Sequence, residues 1–271
     1  MMSKCEEHTK HSTLDVHKVR EDSRIDSDAQ LPLGVEFRKM SNIILNYLLP
    51  PSCLQCSALI ADHDGLCHEC WILSYFVTKP YCAICGKIMA VEIEEYMECA
   101  QCTRSHPVFS LARSVLIFNH ANKALIHQFK YYDRTGVGKF FARILFQKYK
   151  EEVKDLDLII PVPMNFFKRL IRLYNPPSVL AHELNKMFKK KVLHNLLIKY
   201  KIGKSQVGLN KQQRQENAQN TIIFNTKYDI RNKVILLVDD VLTTGATAKT
   251  CSRILMEAGA KKVYIFTIAR V

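Results

Sequence analysis

No run of apolar residues in the 271-residue sequence approaches the roughly 18–20 that a membrane-spanning helix requires, so no membrane span is expected. The N-terminus also lacks the apolar stretch of a secretory signal, and it is too rich in Asp and Glu for a mitochondrial presequence. These absences predict a cytoplasmic chain. Its ten cysteines are then expected to persist as thiols or metal ligands rather than disulfides. Acidic side chains are scarce too, 26 against 39 Lys and Arg, and the shortage is local. Residues 1–50 carry seven basic and eight acidic side chains, residues 51–110 three and seven, and residues 111–271 carry 29 and 11. A field of that sign attracts phosphates, whether on nucleotides, nucleic acid or an acidic membrane surface. A solubilising surface accounts for the same surplus, so charge alone assigns no function. No repeat of 20–50 residues organises the chain, although its cysteine region is a doubled pattern.

What is present is ordinary for a globular chain, 48% hydrophobic and 24% charged, enough for one large domain or two small ones. Residues 1–36 are polar and without periodicity, and read as a disordered tail. Phe37, Met40, Ile44, Tyr47 and Leu48 recur at helical spacing, predicting an amphipathic helix over 37–50 that Pro50 and Pro51 stop. Residues 51–110 hold eight cysteines and little continuous hydrophobic sequence, so something other than a large core must organise them. Over 111–271, strand-like runs (Ser114 to Phe118, Leu156 to Val162, Lys233 to Val238, Val263 to Ala269) alternate with helical patterns (Ala121 to Lys130, Val137 to Tyr149, Ser178 to Phe188, Thr247 to Ala258). That alternation predicts an α/β fold with a mainly parallel sheet and flanking helices.

The cysteines form four C-x-x-C pairs: Cys53 and Cys56, Cys67 and Cys70, Cys82 and Cys85, Cys99 and Cys102. Two Cys separated by two residues turn both sulfurs toward one point, and a second such pair completes a thiolate tetrahedron suited to Zn²⁺. Two structural Zn²⁺ sites are expected, although iron fits the same ligands. Consecutive pairing and an interleaved cross-brace both satisfy the spacing; consecutive pairing closes the shorter loops and is the arrangement expected. Four-thiolate sites are closed, so this region holds shape and presents a surface. His68 and His106 then read as surface histidines, Cys251 as a small apolar residue on a helix and Cys5 as part of the tail.

The most informative stretch is Val234 to Thr247, VILLVDDVLTTGAT. A buried strand, Val234 to Val238, is predicted to end at Asp239 and Asp240 and to lead through small hydroxyl residues into a helix. Amides and hydroxyls of Thr243, Thr244, Gly245, Ala246 and Thr247 can surround a phosphate at the positive end of that helix, while the carboxylates accept from sugar hydroxyls. The stretch has neither the Lys of a Walker loop nor the three-glycine dinucleotide fingerprint. A plain turn with capping threonines gives the same pattern, but two adjacent carboxylates at a strand end repel unless a ligand uses them.

Residues 234–247 resemble the phosphoribosyl pyrophosphate (PRPP) motif of type I phosphoribosyltransferases, and Ile160 to Pro163, IPVP, resembles the PVP turn that opens the pyrophosphate loop in PRPP amidotransferase-like domains. With the double zinc ribbon, residues 43–271 resemble the ComF competence family of the ComFC type. Lys130 and Tyr131, the segment Arg169, Arg172, Tyr174, Asn175, and the segment Gln206, Gly208, Leu209, Arg214, Asn217 resemble further family features. Leu173 stands where the family has Gly, and Met164 and Asn165 replace the Asp-Ser of true amidotransferases.

The resemblance implies a type I phosphoribosyltransferase-like sheet, with Asp239 and Asp240 on the ribose hydroxyls, Thr243 to Thr247 on the 5′-phosphate, and Mg²⁺ arriving with PRPP. Arg169 and Arg172 would neutralise pyrophosphate in any turnover. It also implies a role in natural transformation, receiving incoming single-stranded DNA, with a DNA-uptake or helicase protein as a further partner. Lys189, Lys190 and Lys191, with Lys199, Lys201 and Lys204 around Tyr200, could track the backbone; a solvated helix end and loop is the plainer account. The alternative function is a metabolic phosphoribosyltransferase transferring ribose 5-phosphate from PRPP to a nitrogen acceptor in nucleotide salvage.

Overall fold

The computed structural model describes residues 50–91, 96–131, 135–164, 174–200 and 222–271. The tail expected over 1–36 lies outside these, as does the helix expected over 37–50 save for Pro50. No helix of the described residues is long and apolar enough to cross a membrane.

Five strands, β1 (Leu111–Ile117), β2 (Leu158–Pro161), β3 (Lys191–Val192), β6 (Val234–Leu242) and β7 (Lys262–Arg270), form one sheet in the order β1-β7-β6-β2-β3, and every pair in it is parallel. A parallel strand in a two-sided sheet must be apolar on both faces. In β6, Val234, Leu236 and Val238 enter one core with Phe129, Phe141, Leu145, Leu180 and Leu184, whereas Ile235 and Leu237 enter a second core with Ala248, Cys251 and Leu255. Helices α3 (His120–Tyr131), α4 (Thr135–Tyr149) and α5 (Pro176–Phe188) supply the first core; α6 (Ala246–Glu257) supplies the second. Two short strands, β4 (Leu197–Lys199) and β5 (Ile222–Phe224), pair antiparallel beside this sheet, without any sequence signal that anticipates them.

Three strands differ from expectation by more than one residue at an end; β2 spans only Leu158–Pro161 of the expected Leu156 to Val162. β1 begins at Leu111 rather than Ser114, because Leu111, Ala112 and Arg113 pair in register with Tyr264, Ile265 and Phe266. β6 does not stop at Val238: Asp239 pairs with Thr267, and the ladder to β7 continues to Leu242. The polar residues that seemed to end the strand lie within it, held by a long partner.

The cysteine-rich residues carry short helices α1 (His68–Leu73) and α2 (Ala100–Arg104), each opening just after a cysteine. They are joined to the free edge of β1 by backbone hydrogen bonds, Val77 N–H to Val115 O (2.7 Å), Ile117 N–H to Tyr75 O (2.8 Å) and Ala112 N–H to Ile84 O (2.6 Å). An open parallel sheet would otherwise leave that edge unpaired. Arg113 locks the junction. Only 6% exposed, it donates to Glu152 and to the Ala83 and Ala112 carbonyls, and its guanidinium lies over the rings of Tyr81 and Tyr149.

Candidate functional site

The eight cysteines gather into two groups, Cys53, Cys56, Cys67, Cys70 and Cys82, Cys85, Cys99, Cys102, with the sulfurs of each group within 4.8 Å of one another. This is the consecutive arrangement. A Zn–S bond near 2.3 Å in a tetrahedron puts sulfurs about 3.8 Å apart. Cys56 and Cys67 are 3.6 Å apart, and Cys85 and Cys99 3.7 Å, lengths that fit a shared metal and are far too long for a disulfide. Backbone N–H groups of Gln55, Cys70, Cys85 and Cys99 donate to thiolate positions at 3.3–3.4 Å, as the second coordination layer of a metal site does.

The two groups are structural copies. Cys53 N–H donates to Ala58 O and Ser57 N–H to Cys53 O; Cys82 N–H donates to Lys87 O and Gly86 N–H to Cys82 O, at the same distances of 2.7 and 2.9 Å. Ser57 and Gly86 both take positive φ to close the knuckle, at 64° and 70°. Gly86 needs its glycine for a further reason: a Cβ would sit 2.6 Å from Ala112 O on the sheet edge.

Across the sheet, the chain passes from β2 outward to β3 and from β6 the other way to β7. The strand order therefore reverses between neighbours β2 and β6, where open α/β sheets form a crevice at the carboxyl ends of their strands. Ile160 to Pro163 ends β2 at that crevice, and Asp239 and Asp240 follow Val238, the partner of Pro161, on β6. Lys130, near the end of α3, pairs with Asp240 at 3.3 Å. Burial first, and then the charge of Asp240, push the Asp239 carboxyl up to about 7. The Asp239 carboxylate accepts the Asp240 N–H at 2.8 Å, and Asp240 accepts that of Val241 at 2.7 Å.

Beyond Leu242, Thr243 and Thr244 are exposed, and Gly245 takes φ 72° immediately before α6. A Cβ there would meet only Leu242 Cδ1, at 3.9 Å, so the requirement is conformational rather than steric. Thr244 Oγ1 accepts from Ala246 N–H at 3.4 Å, and Thr247 is exposed on the first turn. A cavity of about 60 Å³ separates this loop from the second cysteine site, lined by Thr243, Thr244, Gly245 and Lys249 on one side and Cys85 and Cys102 on the other. Arg270, at the end of β7, spans the gap by donating to the Cys85 carbonyl. No motif reading pointed to Arg270 or Lys249; the only signal for Arg270 is its position at the end of an apolar strand.

The expected lysines fall in three settings. Lys189 caps α5 in the left-handed conformation, φ 54°, and is exposed; Lys190 is half-buried; Lys191 opens β3 and is exposed. Lys199 ends β4. Lys201, Lys204, Arg169 and Arg172 lie outside the described residues, as do Asn165, Leu173, Gln206, Gly208, Leu209, Arg214 and Asn217. Cys251 is fully buried in the second core and burial pushes its thiol up to about 12, in keeping with an inert apolar role.

Residues 44–103 match the family described as Double zinc ribbon domain, and residues 186–271 match Phosphoribosyl transferase domain. Curated relatives are similar to the chain over most of its length. Competence protein F of Haemophilus influenzae is 28% identical over 228 residues, 80% of this chain and 96% of that protein. Competence protein ComFC of Bacillus subtilis is 25% identical over 221 residues, covering 78% and 87%. The chain is similar to these competence proteins. A further relative is the DNA utilization protein YhgH of Escherichia coli K12, 22% identical over 228 residues, 82% and 98%. Both four-cysteine sites lie inside the zinc-ribbon match, and Asp239 to Thr247 and Lys189 to Lys191 inside the phosphoribosyltransferase match.

Proposed function

We propose that this ComF-like protein is a cytoplasmic handler of incoming single-stranded DNA in natural transformation that also binds PRPP at the β6 loop. The observation that carries the PRPP part is the pair Asp239 and Asp240, half-buried at the reversal of strand order and followed by the Thr243–Thr247 turn. Holding two adjacent carboxylates half out of water is costly unless a ligand uses them. Asp239 and Asp240 accept the ribose hydroxyls, and the Thr243, Thr244 and Thr247 hydroxyls with the α6 amides take the 5′-phosphate. Lys130 pairs with Asp240 and orients it. Mg²⁺, bound with PRPP, supplies neutralisation of the pyrophosphate oxygens.

The DNA part rests on the names of the relatives and on the basic surplus of residues 111–271.

Calorimetry with PRPP and Mg²⁺ tests the site. Asp240→Ala with Thr244→Ala removes one ribose acceptor and one phosphate donor and is expected to weaken binding at least about a hundredfold. Equal heats for the two proteins overturn the assignment.

A further inference from the structure

The two four-cysteine groups share one backbone design but sit in different surroundings. Cys56 is exposed where its counterpart Cys85 is half-buried, and Cys67 is half-buried where its counterpart Cys99 is buried. Ser57, which closes the first knuckle, is exposed; Gly86, which closes the second, is buried against the β1 edge. The second group packs with Ile84 and Met89, and Cys85 and Cys102 share a cavity with Phe109, Arg270 and the Thr243–Gly245 loop. In the first group, Ser57, Ala58 and Leu59 after Cys56 and His68 after Cys67 are all exposed. The knuckle hydrogen bonds of the two groups have the same lengths, so what distinguishes the groups is access from solvent.

Access decides which thiolates are oxidised. A thiolate in a four-cysteine zinc site is already deprotonated, and what protects it is the lack of a path for the oxidant. Cys56 has that path, and it has a partner, since Cys67 Sγ lies 3.6 Å away. The corresponding pair of the second group, Cys85 and Cys99, is as close at 3.7 Å. Reach therefore does not separate the two groups, and burial does.

We propose that Cys56 and Cys67 are a site of oxidation by peroxide, and that the first ribbon alone is a reversible redox-sensitive element. The Cys56 thiolate attacks one oxygen of hydrogen peroxide, forming an S–O bond as the O–O bond breaks and hydroxide leaves. The Cys67 thiolate then attacks the Cys56 sulfur, forming the S–S bond as the S–O bond breaks and a second hydroxide leaves. Two thiolates have lost two electrons and the peroxide has gained them. Cys53 and Cys70 remain, two ligands where a closed site has four, and one Zn²⁺ is released. The release loosens what the knuckles hold: Leu54 in the first core, and α1, whose first turn is capped by the Cys67 sulfur accepting from Cys70 N–H. Because α1 carries the exposed Trp71, Ile72 and Leu73, the oxidised chain presents a changed apolar surface on this ribbon.

Trp71 is the only tryptophan of the chain, and its ring centre lies 4.5 Å from that of Phe76, so its emission reports on α1. The test treats the full-length, zinc-loaded protein with hydrogen peroxide while a chelating dye follows zinc, fluorescence follows Trp71, and peptide mass spectrometry identifies disulfides. One zinc is expected to leave at least about tenfold faster than the other. A Cys56–Cys67 disulfide and the Trp71 change should appear in step with it, and a thiol reductant with Zn²⁺ should restore the starting state. Cys56→His keeps four zinc ligands and removes one of the two thiols, and it should hold its first zinc as long as its second. If that variant folds without its first zinc, the wild-type time course and disulfide map decide alone. The proposal is overturned by release of both zincs at one rate, by a first disulfide among Cys82, Cys85, Cys99 and Cys102, or by no release at peroxide concentrations that oxidise glutathione. A two-zinc Cys56→His chain that loses its first zinc as fast as the wild type overturns it as well.

Discussion

Asp239 is the residue at which stability and the proposed PRPP binding should oppose each other. Its folded-state carboxyl is raised to about 7 by burial and by Asp240, so the unfolded chain releases this proton first as pH rises. The native state is therefore penalised progressively between about pH 4 and pH 7, and above that window the penalty is complete. Asp239→Asn should raise the thermal midpoint at pH 8, by about 2–4 °C per kcal/mol relieved in a chain of this size, and do little near pH 4. The same variant should bind PRPP poorly. Melting curves across pH check the first half, and a midpoint unchanged at pH 8 would contradict it. Gly245 makes a second case: its φ of 72° suits glycine, yet a methyl group has room there. Gly245→Ala should cost about 1–2 kcal/mol by backbone conformation alone, and Gly245→Asn less, in denaturant unfolding. Gly245 and the Thr pattern were readable in the sequence because the turn is local. The Lys130 contact to Asp240 was not, since it joins residues 110 positions apart with nothing but tertiary packing to specify it.

At the scale of elements, the zinc ribbons and the sheet are coupled unevenly. The second ribbon shares a cavity with Thr243, Thr244 and Gly245 and receives Arg270 on the Cys85 carbonyl. The first ribbon packs Leu54 into the core and places Asp64 2.7 Å from Lys139 on α4, away from that loop. Elemental analysis should return two zinc per chain. Cys99→Ser with Cys102→Ser should remove one zinc and weaken PRPP binding about tenfold, whereas Cys67→Ser with Cys70→Ser should remove one zinc and leave PRPP heats near the wild type. Equal losses in the two variants would show that the second ribbon has no special relation to the loop. The metal knuckles were legible because two-residue spacing fixes sulfur direction locally. The attachment of Tyr75 to Ile84 along β1 was invisible, because edge pairing uses backbone groups that every sequence has. The overrun of β6 has the same origin: a polar Asp-Asp ends a strand by propensity, but a nine-residue partner strand continues the ladder past it.

At the scale of the molecule, charge is segregated: residues 51–110 carry three basic and seven acidic side chains, and residues 111–271 carry 29 and 11. Each Zn(Cys)₄ centre adds about two further negative charges to the ribbons. The backbone of a nucleic acid should therefore lie on the sheet side, around Lys189, Lys190 and Lys191, with little contribution from the ribbons. The alternation of strands and helices made the sheet legible, but not β4 and β5, whose residues carry no periodic signal. The most direct test of the account is a fluorescence titration of the full chain with single-stranded DNA at several salt concentrations. The account predicts binding with little sequence preference, its log affinity falling with log salt by about 0.7 per phosphate neutralised, and a weaker, shallower dependence once Lys189, Lys190 and Lys191 are changed to Gln with PRPP binding intact. No binding even at low salt, together with pyrophosphate release from PRPP on adding a nucleobase, would contradict it and leave a salvage phosphoribosyltransferase in its place.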